Sequence, residues 1–395
     1  MDFRFTPAEE AWRQELRSFL RQELPQWYWE EGDPEDWTVS EEAWEFASRF
    51  VRRLGQKGWL AVAWPKEWGG QERSYIEQTI FAEEMAYHRA PLGRASMGTR
   101  IVGPTIIVHG TDEQKREYLP PIAAGEVVWC QGFSEPNAGS DLASLQTRAV
   151  ADGDDFVITG TKIWTSGAHK ADYCLLAART NPDAPKHRGI SLFIVPMKTP
   201  GITVVPVIDM RDAHYFNQVF FDGVRVPRRN MVGQQDRGWY AMVTTLDFER
   251  SGVERSAEAR RVIEELVEYV RMTTRNGRPL AADPVVRHRL ADLAIETEVA
   301  RMLAYRVASM QARGLIPNYE SSMSKLFGSE LSQRVASTGL KLLGQAGVLV
   351  KGSKWAKLKG RLQWIWLESF ANTIRAGTSE IQRNIIAVRG LGLPR

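Results

Sequence analysis

Two glycine-containing turns in the middle of the chain carry side chains that could hold a ligand. The first, "GFSEPNAGSDLASL", offers the hydroxyls of Ser134 and Ser140 and exposed backbone N–H groups around Gly139, which suit an anionic ligand. In the second, "GTKIWTSGAHKAD", the aromatic ring of Trp164 directly precedes two hydroxyl-bearing residues, a combination that suits a planar, hydrogen-bonding heterocycle. Taken alone, either turn is more typical of an ordinary loop.

A third turn, near the C-terminus, raises the question of a proton acceptor. In "TIRAGTSEIQRNIIA" a Gly-Thr-Ser turn opens an amphipathic helix, and the residues before it are Arg375 and Ala376. Neither side chain can accept a proton at neutral pH. If this turn takes part in acid–base chemistry, the base must come from another part of the chain.

The hydrophobic pattern divides the chain into three regions that would position these turns. Apolar residues recur at helical spacing up to about residue 124 and again after "QDRG", where Val262, Leu266, Tyr269 and Val270 form one stripe. Between them, β-branched and aromatic runs such as "DFVITGTK" and "ISLFIVPM" alternate with turns, which predicts an antiparallel β barrel or sandwich.

We therefore predict an α+β protein of three domains. Residues 1–125 form an N-terminal helical domain, residues 126–233 a β domain, and residues 234–395 a C-terminal helical domain that resembles a four-helix bundle. Within the N-terminal domain, Thr111 or Asp112 is expected to cap the helix that contains "EQKREYL".

Composition excludes several classes of protein. The chain has 395 residues, of which 43% are apolar and 25% charged, as in a soluble globular protein. Its net charge of +3 is too small to indicate a nucleic-acid partner, although it suits an anionic small molecule. The N-terminus lacks an apolar signal segment and the sequence has no apolar run that could span a membrane, so we expect a cytoplasmic location.

Common signatures of other enzyme classes are absent from the sequence. It contains no G-x-G-x-x-G, no H-E-x-x-H and no G-x-S-x-G motif, so we predict no metal site and no hydrolase nucleophile. Cys130 and Cys174 lie in separate predicted strands and are predicted to be buried, inert thiols. The basic cluster "KGSKWAKLKGR" is interpreted as a solvated face, with contact to an anion or a partner as the alternative.

Five segments together resemble the acyl-CoA dehydrogenase family. They are "LAVAWPKEWGG", "HGTDEQKREYLPPIAAGE", "SEPNAGSD", "KIWTSGAHKAD" and "AGTSEIQRNIIA", and they stand in the family's order across essentially the whole chain. The resemblance implies that family's three-domain fold and an enzyme that uses FAD to convert an acyl-CoA thioester to the trans-2-enoyl-CoA. It also implies electron transfer to an electron-transfer flavoprotein and assembly as a homotetramer or homodimer.

The resemblance also implies which residues hold the cofactor. They are Gln131, Phe133, Ser134, Gly139, Ser140, Trp164, Thr165, Ser166, Arg275, Gly344, Thr378 and Glu380. Within this set, the hydroxyl of Ser166 would approach flavin N5. Two segments depart from the family pattern: Arg275 stands in "MTTRNGRPL" where an Arg-x-x-Phe-Gly type segment is expected, and Lys341 replaces a usual Gln before Gly344. How a neighbouring subunit holds the adenosine end of FAD is therefore open.

The same resemblance predicts where the base lies. In many family members the base directly precedes the Gly-Thr of the C-terminal loop, and Ala376 occupies that position here. Members similar to the isovaleryl-, long-chain and sterol side-chain enzymes carry it in a Leu-Asp-x-Glu-Arg context, which is "LDFER" in this chain and makes Glu249 the predicted base. Ala376 would then contribute only its backbone N–H to an oxyanion hole. The implied substrate-binding residues are Ser140, Asp247, Arg250 and Gly377.

Other interpretations of these residues stay open. Glu249 and Arg250 are also compatible with ordinary helix polarity. A flavin oxidase or monooxygenase on the same scaffold is one alternative function, which Glu249 disfavours. Another is a subunit of a heteromeric, sterol-type acyl-CoA dehydrogenase, since "WCQGFSEPNAGSDLASLQTRA" resembles that group. A base on the helix leaves space beside Cα and Cβ, which favours branched, long-chain or ring-bearing acyl groups.

Overall fold

The computed structural model describes residues 4–31, 40–248 and 251–394. These residues form two compact units. The helical unit contains residues 4–31, 74–90 and 251–394, and the sheet unit contains residues 40–73 and 91–248. The N-terminal helical region thus contributes segments to both units. The domain boundaries at residues 125 and 233 stay predictions.

The described residues form thirteen α-helices. In chain order these are α1 (Pro7–Glu23), α2 (Gln26–Glu31), α3 (Glu41–Gln56), α4 (Tyr75–Tyr87), α5 (Gly93–Met97), α6 (Gly103–His109), α7 (Asp112–Ala123), α8 (Gly238–Phe248), α9 (Val253–Met272), α10 (Pro284–Ala312), α11 (Tyr319–Leu343), α12 (Arg361–Asn372) and α13 (Ser379–Ile385). None of the helices in these ranges has the length and apolar character needed to cross a membrane.

The strands lie between α7 and α10 in the chain. They are β1 (Trp129–Gly132), β2 (Arg148–Asp152), β3 (Asp155–Lys162), β4 (Tyr173–Arg179), β5 (Ile190–Pro196), β6 (Ile202–Ile208), β7 (His214–Pro227), β8 (Met231–Val232), β9 (Thr274–Arg275) and β10 (Arg278–Pro279). The order of helices, then strands, then helices confirms the predicted fold class.

Helices in the N-terminal region begin where the sequence supplies a capping box. Ser74 accepts a hydrogen bond from the backbone N–H of Glu77, whose side chain accepts one from the N–H of Ser74. Thr111 and Gln114 make the same reciprocal pair at the start of α7. Each pair satisfies backbone donors that the first helical turn leaves without partners. Of the two predicted caps, Thr111 is therefore the one that forms.

In the helical unit, α9, α10 and α11 pack around a shared apolar core. The predicted stripe on α9 faces it: Val262, Leu266 and Val270 are buried, and Tyr269 packs against the cluster while partly buried. Burying each large aliphatic side chain stabilises the fold by about 1.5–3 kcal/mol. Packing of this stripe therefore accounts for a large share of the stability of the three-helix arrangement.

The sheet unit is built on an eight-stranded sheet with the strand order β6-β7-β3-β2-β4-β5-β8, in which β1 also pairs with β4. Most neighbours are antiparallel, but β1–β4 and β2–β4 are parallel. Parallel neighbouring strands need long crossover connections. The connection between β1 and β4 is formed by residues 133–172, which include β2 and β3. Among the described strands, β6 and β8 lie at the two ends of the sheet and do not pair with each other, so the sheet is mixed and open where a closed barrel was one prediction.

Both faces of β4 and β5 are buried, which explains why the sequences of these two strands do not alternate between apolar and polar residues. In β4, Leu175 and Ala177 face a core that includes Ile106 of α6 and Leu119 of α7. The alternate residues Cys174, Leu176 and Ala178 face a second core. The run "YCLLAAR" is therefore continuous because each of its faces packs against a different layer.

The two cysteines lie opposite each other on β1 and β4, since Cys130 pairs in register with Cys174. Both thiols are free and buried. A hydrogen bond with Cys174, together with burial, raises the pKa of the Cys130 thiol well above its usual value. Because the thiolate is the reactive form of cysteine, this agrees with the predicted inert thiols.

A buried network of ion pairs joins α1, α4 and α10 in the helical unit. The guanidinium of Arg13 lies 3.1 Å from Glu84 and 3.0 Å from Glu83. Arg17 approaches the other carboxylate oxygen of Glu84 at 2.9 Å, and Arg301 approaches Glu83 at 2.5 Å. Removing one partner from such a group leaves a buried charge without its counter-ion, which is costly.

This network predicts a loss of stability in acid. Burial alone would raise the pKa of Glu84, but hydrogen bonds from His88 and Arg17 outweigh burial and lower the pKa to about 2. A depressed carboxylate pKa stabilises the fold above the unfolded value of about 4.3, and the stabilisation disappears as the pH falls toward 2. We expect Glu84→Gln to remove about 3 kcal/mol of unfolding free energy at neutral pH. Denaturant unfolding of the variant and the unmodified protein at pH 7 and pH 3 measures this loss of stability.

The matched control for this prediction is Glu45→Gln. Glu45 pairs with Arg49 at 4.0 Å, and both side chains are well exposed. Exposed pairs of this kind contribute about 0–1 kcal/mol. If both variants lost stability equally, or if Glu84→Gln kept the acid sensitivity of the unmodified protein, the assignment to Glu84 would be wrong.

Candidate active site

The first predicted turn begins where β1 ends. The carbonyl of Ser134 accepts a hydrogen bond of 2.9 Å from the backbone N–H of Ile163, and the backbones of Glu135 and Ala138 bond reciprocally. The bond to Ile163 joins this turn to the second one. Gly139 and Ser140 are exposed, and a Cβ added to Gly139 would meet no atom within 4 Å. The turn is therefore anchored at its base and open at its tip.

A buried ion pair lies beneath this turn. Lys162, which is fully buried, donates to a carboxylate oxygen of Glu135 at 2.8 Å and to the carbonyl of Phe133 at 3.0 Å. The Glu135 carboxylate also accepts from the backbone N–H groups of Gln146 and Thr147. Burial lowers the pKa of Lys162 to about 8, although Glu135 opposes that change. Sequence reasoning missed this pair, yet a lysine at an inward position of "DFVITGTK" was a signal for it.

The second predicted turn holds a tryptophan in an unfavourable backbone conformation. Trp164 has φ +60°, a region that bulky L-residues rarely adopt, and its ring is 57% exposed. The ring contacts Phe216 edge to face at 6.0 Å between centroids. Such strain persists only where neighbouring groups impose it, and it is typical of ligand-binding positions. The structure thus presents a large aromatic face at a cost in backbone energy.

Asn217 of β7 stabilises this conformation through two hydrogen bonds to Thr165, the residue after Trp164. Its backbone carbonyl accepts the N–H of Thr165 at 3.0 Å, and its side-chain amide donates to the carbonyl of Thr165 at 3.0 Å. The same side chain contacts the stacked rings of His169 and His214. Burial lowers the pKa of His169 to about 4, with His214 adding to the effect, so the ring is neutral at physiological pH. These contacts connect residues far apart in the sequence, so pattern reasoning could not find them.

In the helical unit, the third turn also adopts a left-handed conformation. Ala376 has φ +55° and Gly377 has φ +83°. Thr378 then caps α13, its hydroxyl accepting the N–H of Ile381 at 3.3 Å. Ala376 is exposed, and its N–H makes no hydrogen bond with any of the residues that the structure describes. The turn therefore presents an unpaired amide at the surface of its unit.

Arg375 has a structural role that the sequence did not reveal. Its guanidinium lies 2.8 Å from the carboxylate of Glu368, a buried residue of α12, and 2.5 Å from the side-chain oxygen of Asn372. Because a buried carboxylate needs a counter-charge, Arg375 stabilises the end of α12. These contacts of Arg375 also link the C-terminal turn to α12.

A polar cavity of about 550 Å³ lies beside this turn within the helical unit. Its lining includes Arg289, Arg334, Thr378, Ser379, Glu380 and Arg383. Arg334 pairs with Glu296 and Arg383 pairs with Glu330, so carboxylates already offset two of the three arginines. The cavity brings Thr378 and Glu380, both predicted cofactor residues, to one wall.

Two other predicted cofactor residues come together at the end of α11. The guanidinium of Arg275 donates to the carbonyl of Leu342 at 2.8 Å, two residues before Gly344. Gly344 adopts φ +61°, and a Cβ there would meet no atom within 4 Å. Part of the hydrogen-bonding capacity of Arg275 is thus used within the chain.

The remaining predicted residues differ in what the structure says of them. Glu249 and Arg250 lie outside the described residues, and Asp247 lies in α8. Four buried hydroxyls have no hydrogen-bond partner among the described residues, and two of them, those of Thr165 and Ser379, belong to the second and third turns. Since buried polar groups are almost always satisfied, a ligand held by these turns would account for these two. Across the described ranges, no cluster of His, Cys, Asp or Glu could hold a metal ion.

Three family profiles match the chain. The profile of the acyl-CoA dehydrogenase N-terminal domain covers residues 6–126, that of the middle domain covers residues 130–224, and that of the C-terminal domain covers residues 236–391. Acyl-CoA dehydrogenase FadE26 of Mycobacterium tuberculosis is 38% identical over 100% of this chain and 99% of its own length.

Solved structures give the same result. A chain of the Tcur3481-Tcur3483 steroid ACAD superposes with a TM-score of 0.90 and 36% identity, with 100% of both chains covered. A chain of the ChsE4-ChsE5 complex from Mycobacterium tuberculosis gives a TM-score of 0.89 and 37% identity, again over 100% of both chains. Sequence and fold thus agree over the full length.

Proposed function

The chain belongs to the acyl-CoA dehydrogenase family, and from that membership we propose that it converts an acyl-CoA thioester to the trans-2-enoyl-CoA with FAD. Membership makes the chain an oxidoreductase and implies a flavin cofactor. The identity of the flavin as FAD, electron transfer to an electron-transfer flavoprotein, and the roles of single residues belong to the proposal.

The observation that carries the proposal is that Ala376 is an exposed residue whose N–H has no hydrogen-bond partner among the described residues. Removing a proton from Cα of a thioester places negative charge on the thioester oxygen, and that charge needs hydrogen-bond donors. A backbone amide supplies such a donor whatever the side chain is. Ala376 therefore keeps one half of an oxyanion hole although its side chain cannot act as a base.

Glu249 supplies the base in this proposal. A carboxylate next to Cα is required, and the family's usual position before the Gly-Thr turn is occupied by Ala376. The "LDFER" context of Glu249 is the one that the resemblance associates with a base carried on the helix after the β domain. In this proposal, Arg250 and Asp247 contact the substrate from the same segment as Glu249. Ser140 of the first turn and Gly377 of the third turn contact it as well.

The sheet unit has groups that suit the flavin. FAD, when bound, would accept the hydride that leaves Cβ. Trp164 offers an exposed aromatic face for a planar ring system, and the buried hydroxyl of Thr165 needs a partner. We assign Ser166, with Gln131, to contacts with the same ring. The open tip of the first turn, with Ser140, suits the anionic part of either ligand.

Anaerobic mixing with a panel of acyl-CoA thioesters tests this function. We expect bleaching of the flavin absorbance by at least one branched, long-chain or ring-bearing thioester, without oxygen uptake when air is admitted. Rapid oxygen consumption would favour a flavin oxidase instead. Absence of bleaching by every thioester would contradict the proposed dehydrogenation.

A second candidate is a subunit that works beside a different chain of the same family. Two similar solved structures are named for pairs, Tcur3481-Tcur3483 and ChsE4-ChsE5, and the first is named a steroid ACAD. Arg275 bonds to Leu342 within the chain, and Lys341 stands where the family usually has Gln. Both features favour a neighbouring subunit that holds FAD in a way that departs from the usual family pattern. Steroid side-chain thioesters accordingly belong in the panel. If the purified chain alone forms a homotetramer with one FAD per subunit, this candidate is wrong.

A further inference from the structure

A buried lysine on α11 contacts the turn that contains Ala376. The ammonium of Lys325 donates to the carbonyl of Gly377 at 2.7 Å. The side-chain amide of Gln382, which is also buried, donates to the carbonyls of Ala376 at 3.1 Å and Gly377 at 3.2 Å. Two consecutive carbonyls of the turn are therefore held by buried side chains of the helical unit.

Holding the carbonyls also orients the amides. In a trans peptide the C=O and the following N–H point in opposite directions. When Gln382 and Lys325 fix the carbonyls of Ala376 and Gly377, the N–H groups of Gly377 and Thr378 point away from those side chains. Like the N–H of Ala376, neither has a partner in the described part of the chain. Successive unpaired amides of this kind form a concavity that binds negative charge.

The charge of Lys325 is not cancelled by a direct ion pair with any described residue. Within the described residues no carboxylate forms a salt bridge with it, and the charged groups around it are Arg255, Arg375, Glu330 and Glu380. Burial, followed by the effects of Arg255 and Arg375, lowers the pKa of Lys325 to about 8. Keeping an ammonium buried without a counter-ion costs several kcal/mol. That cost is offset if negative charge develops next to the turn during the reaction.

The residue before Lys325 holds a second segment of interest. The hydroxyl of Ser324 donates to the carbonyl of Ser251 at 2.7 Å. Ser251 follows Arg250 in the chain and so lies two residues after the proposed base. Consecutive residues of one long helix thus hold the turn that carries Ala376 and the backbone that follows Glu249.

We propose that Lys325 is a positioning residue that, together with Gln382, sets the amides of Gly377 and Thr378 toward the thioester oxygen beside the amide of Ala376 and adds positive charge behind them. This inference rests on the proposed function, because the charge it stabilises is that of the thioester enolate. Lys325 does not touch the substrate; it acts through the Gly377 carbonyl.

An acyl-CoA analogue with sulfur in place of Cβ tests the inference in the flavin-loaded protein. Such a thioester can lose its Cα proton but cannot lose a hydride, so absorbance titration reports enolate formation alone. We expect Lys325→Met to weaken ionisation of the bound analogue by about 10- to 100-fold, below the effect of removing a direct oxyanion donor. The matched control Lys66→Met, which removes an exposed partner of Glu72, should leave ionisation unchanged.

The outcomes separate this inference from the proposed function. If Lys325→Met ionises the analogue as fully as the unmodified protein does, the role proposed for Lys325 is wrong and the proposed function is unaffected. If the unmodified protein binds the analogue without ionising it, both proposals fail. Should Lys325→Met fold poorly by thermal unfolding, Lys325→Arg carries the test. In the unmodified protein, loss of the Lys325 charge as the pH rises through about 8 should weaken stabilisation of the enolate. Arginine keeps its charge at all relevant pH values, so this weakening should disappear in Lys325→Arg, and its persistence would overturn the inference.

Discussion

Replacing Glu249 with Gln is expected to slow reduction of the bound flavin by acyl-CoA by about 10²- to 10⁴-fold. Gln has nearly the same shape as Glu but cannot accept the Cα proton, and Ala376 offers no substitute carboxylate. Flavin content and thermal stability should stay as in the unmodified protein, since the substitution keeps the size and shape of the side chain. Stopped-flow absorbance under anaerobic conditions measures the rate.

Glu268→Gln is the matched control for this prediction. Glu268 is an exposed glutamate on α9, further along the chain from Glu249. The same change there removes a carboxylate from the same region without touching the proposed base. A Glu249→Gln protein that retained most of its reduction rate would show that the proton goes elsewhere, and the base assignment would be wrong.

Replacing Lys162 with Met is expected to lower the unfolding free energy of the sheet unit by about 3–5 kcal/mol. Lys162 is fully buried, and its loss leaves the carboxylate of Glu135 charged in the interior without its counter-ion. The carbonyl of Phe133 loses its donor as well, which loosens the turn proposed to lie along the flavin. Denaturant unfolding measures the loss of stability, and the rate of flavin release measures the loosening of the turn.

A surface pair provides the comparison for Lys162→Met. Lys186 lies 2.9 Å from Asp141, with both side chains about half exposed, so Lys186→Met should cost about 0–1 kcal/mol. The double variant Lys162→Met with Glu135→Leu should recover only part of the loss. It removes the orphaned charge but leaves the amides of Gln146 and Thr147 without an acceptor. A single variant that is no less stable than Lys186→Met would contradict the structural role of the pair.

The sequence was informative where local physical chemistry decides the outcome. The Thr111 cap and the α9 stripe were predicted because capping and helical periodicity depend on neighbouring residues. The two loops of the sheet unit were predicted as ligand-binding turns, and the bond between Ser134 and Ile163 joins them. The assignments of single residues to FAD and substrate stay predictions.

Features that depend on distant parts of the chain could not be predicted. Asn217 shapes the Trp164 turn from a strand that follows it by more than fifty residues of sequence. The left-handed conformations of Trp164 and Ala376 are set by such tertiary contacts, because residue type alone disfavours them. Lys325 of α11 likewise donates to the Gly377 carbonyl, and no local sequence pattern predicts that hydrogen bond.

The route of the chain through the helical unit has a consequence for how the protein is made. Helix α1 packs on α4, and its Arg13 also bonds to Tyr305 of α10, a partner 292 residues further along the chain. During synthesis α4 is available to α1 early, but Arg301, the second arginine that pairs with Glu83, is added only after the entire β region has emerged. Contacts of such long sequence separation fold slowly and expose the nascent chain to aggregation. A fragment ending before α9 would therefore lack Arg301 and Tyr305, and a complementing C-terminal fragment would be needed to complete this network.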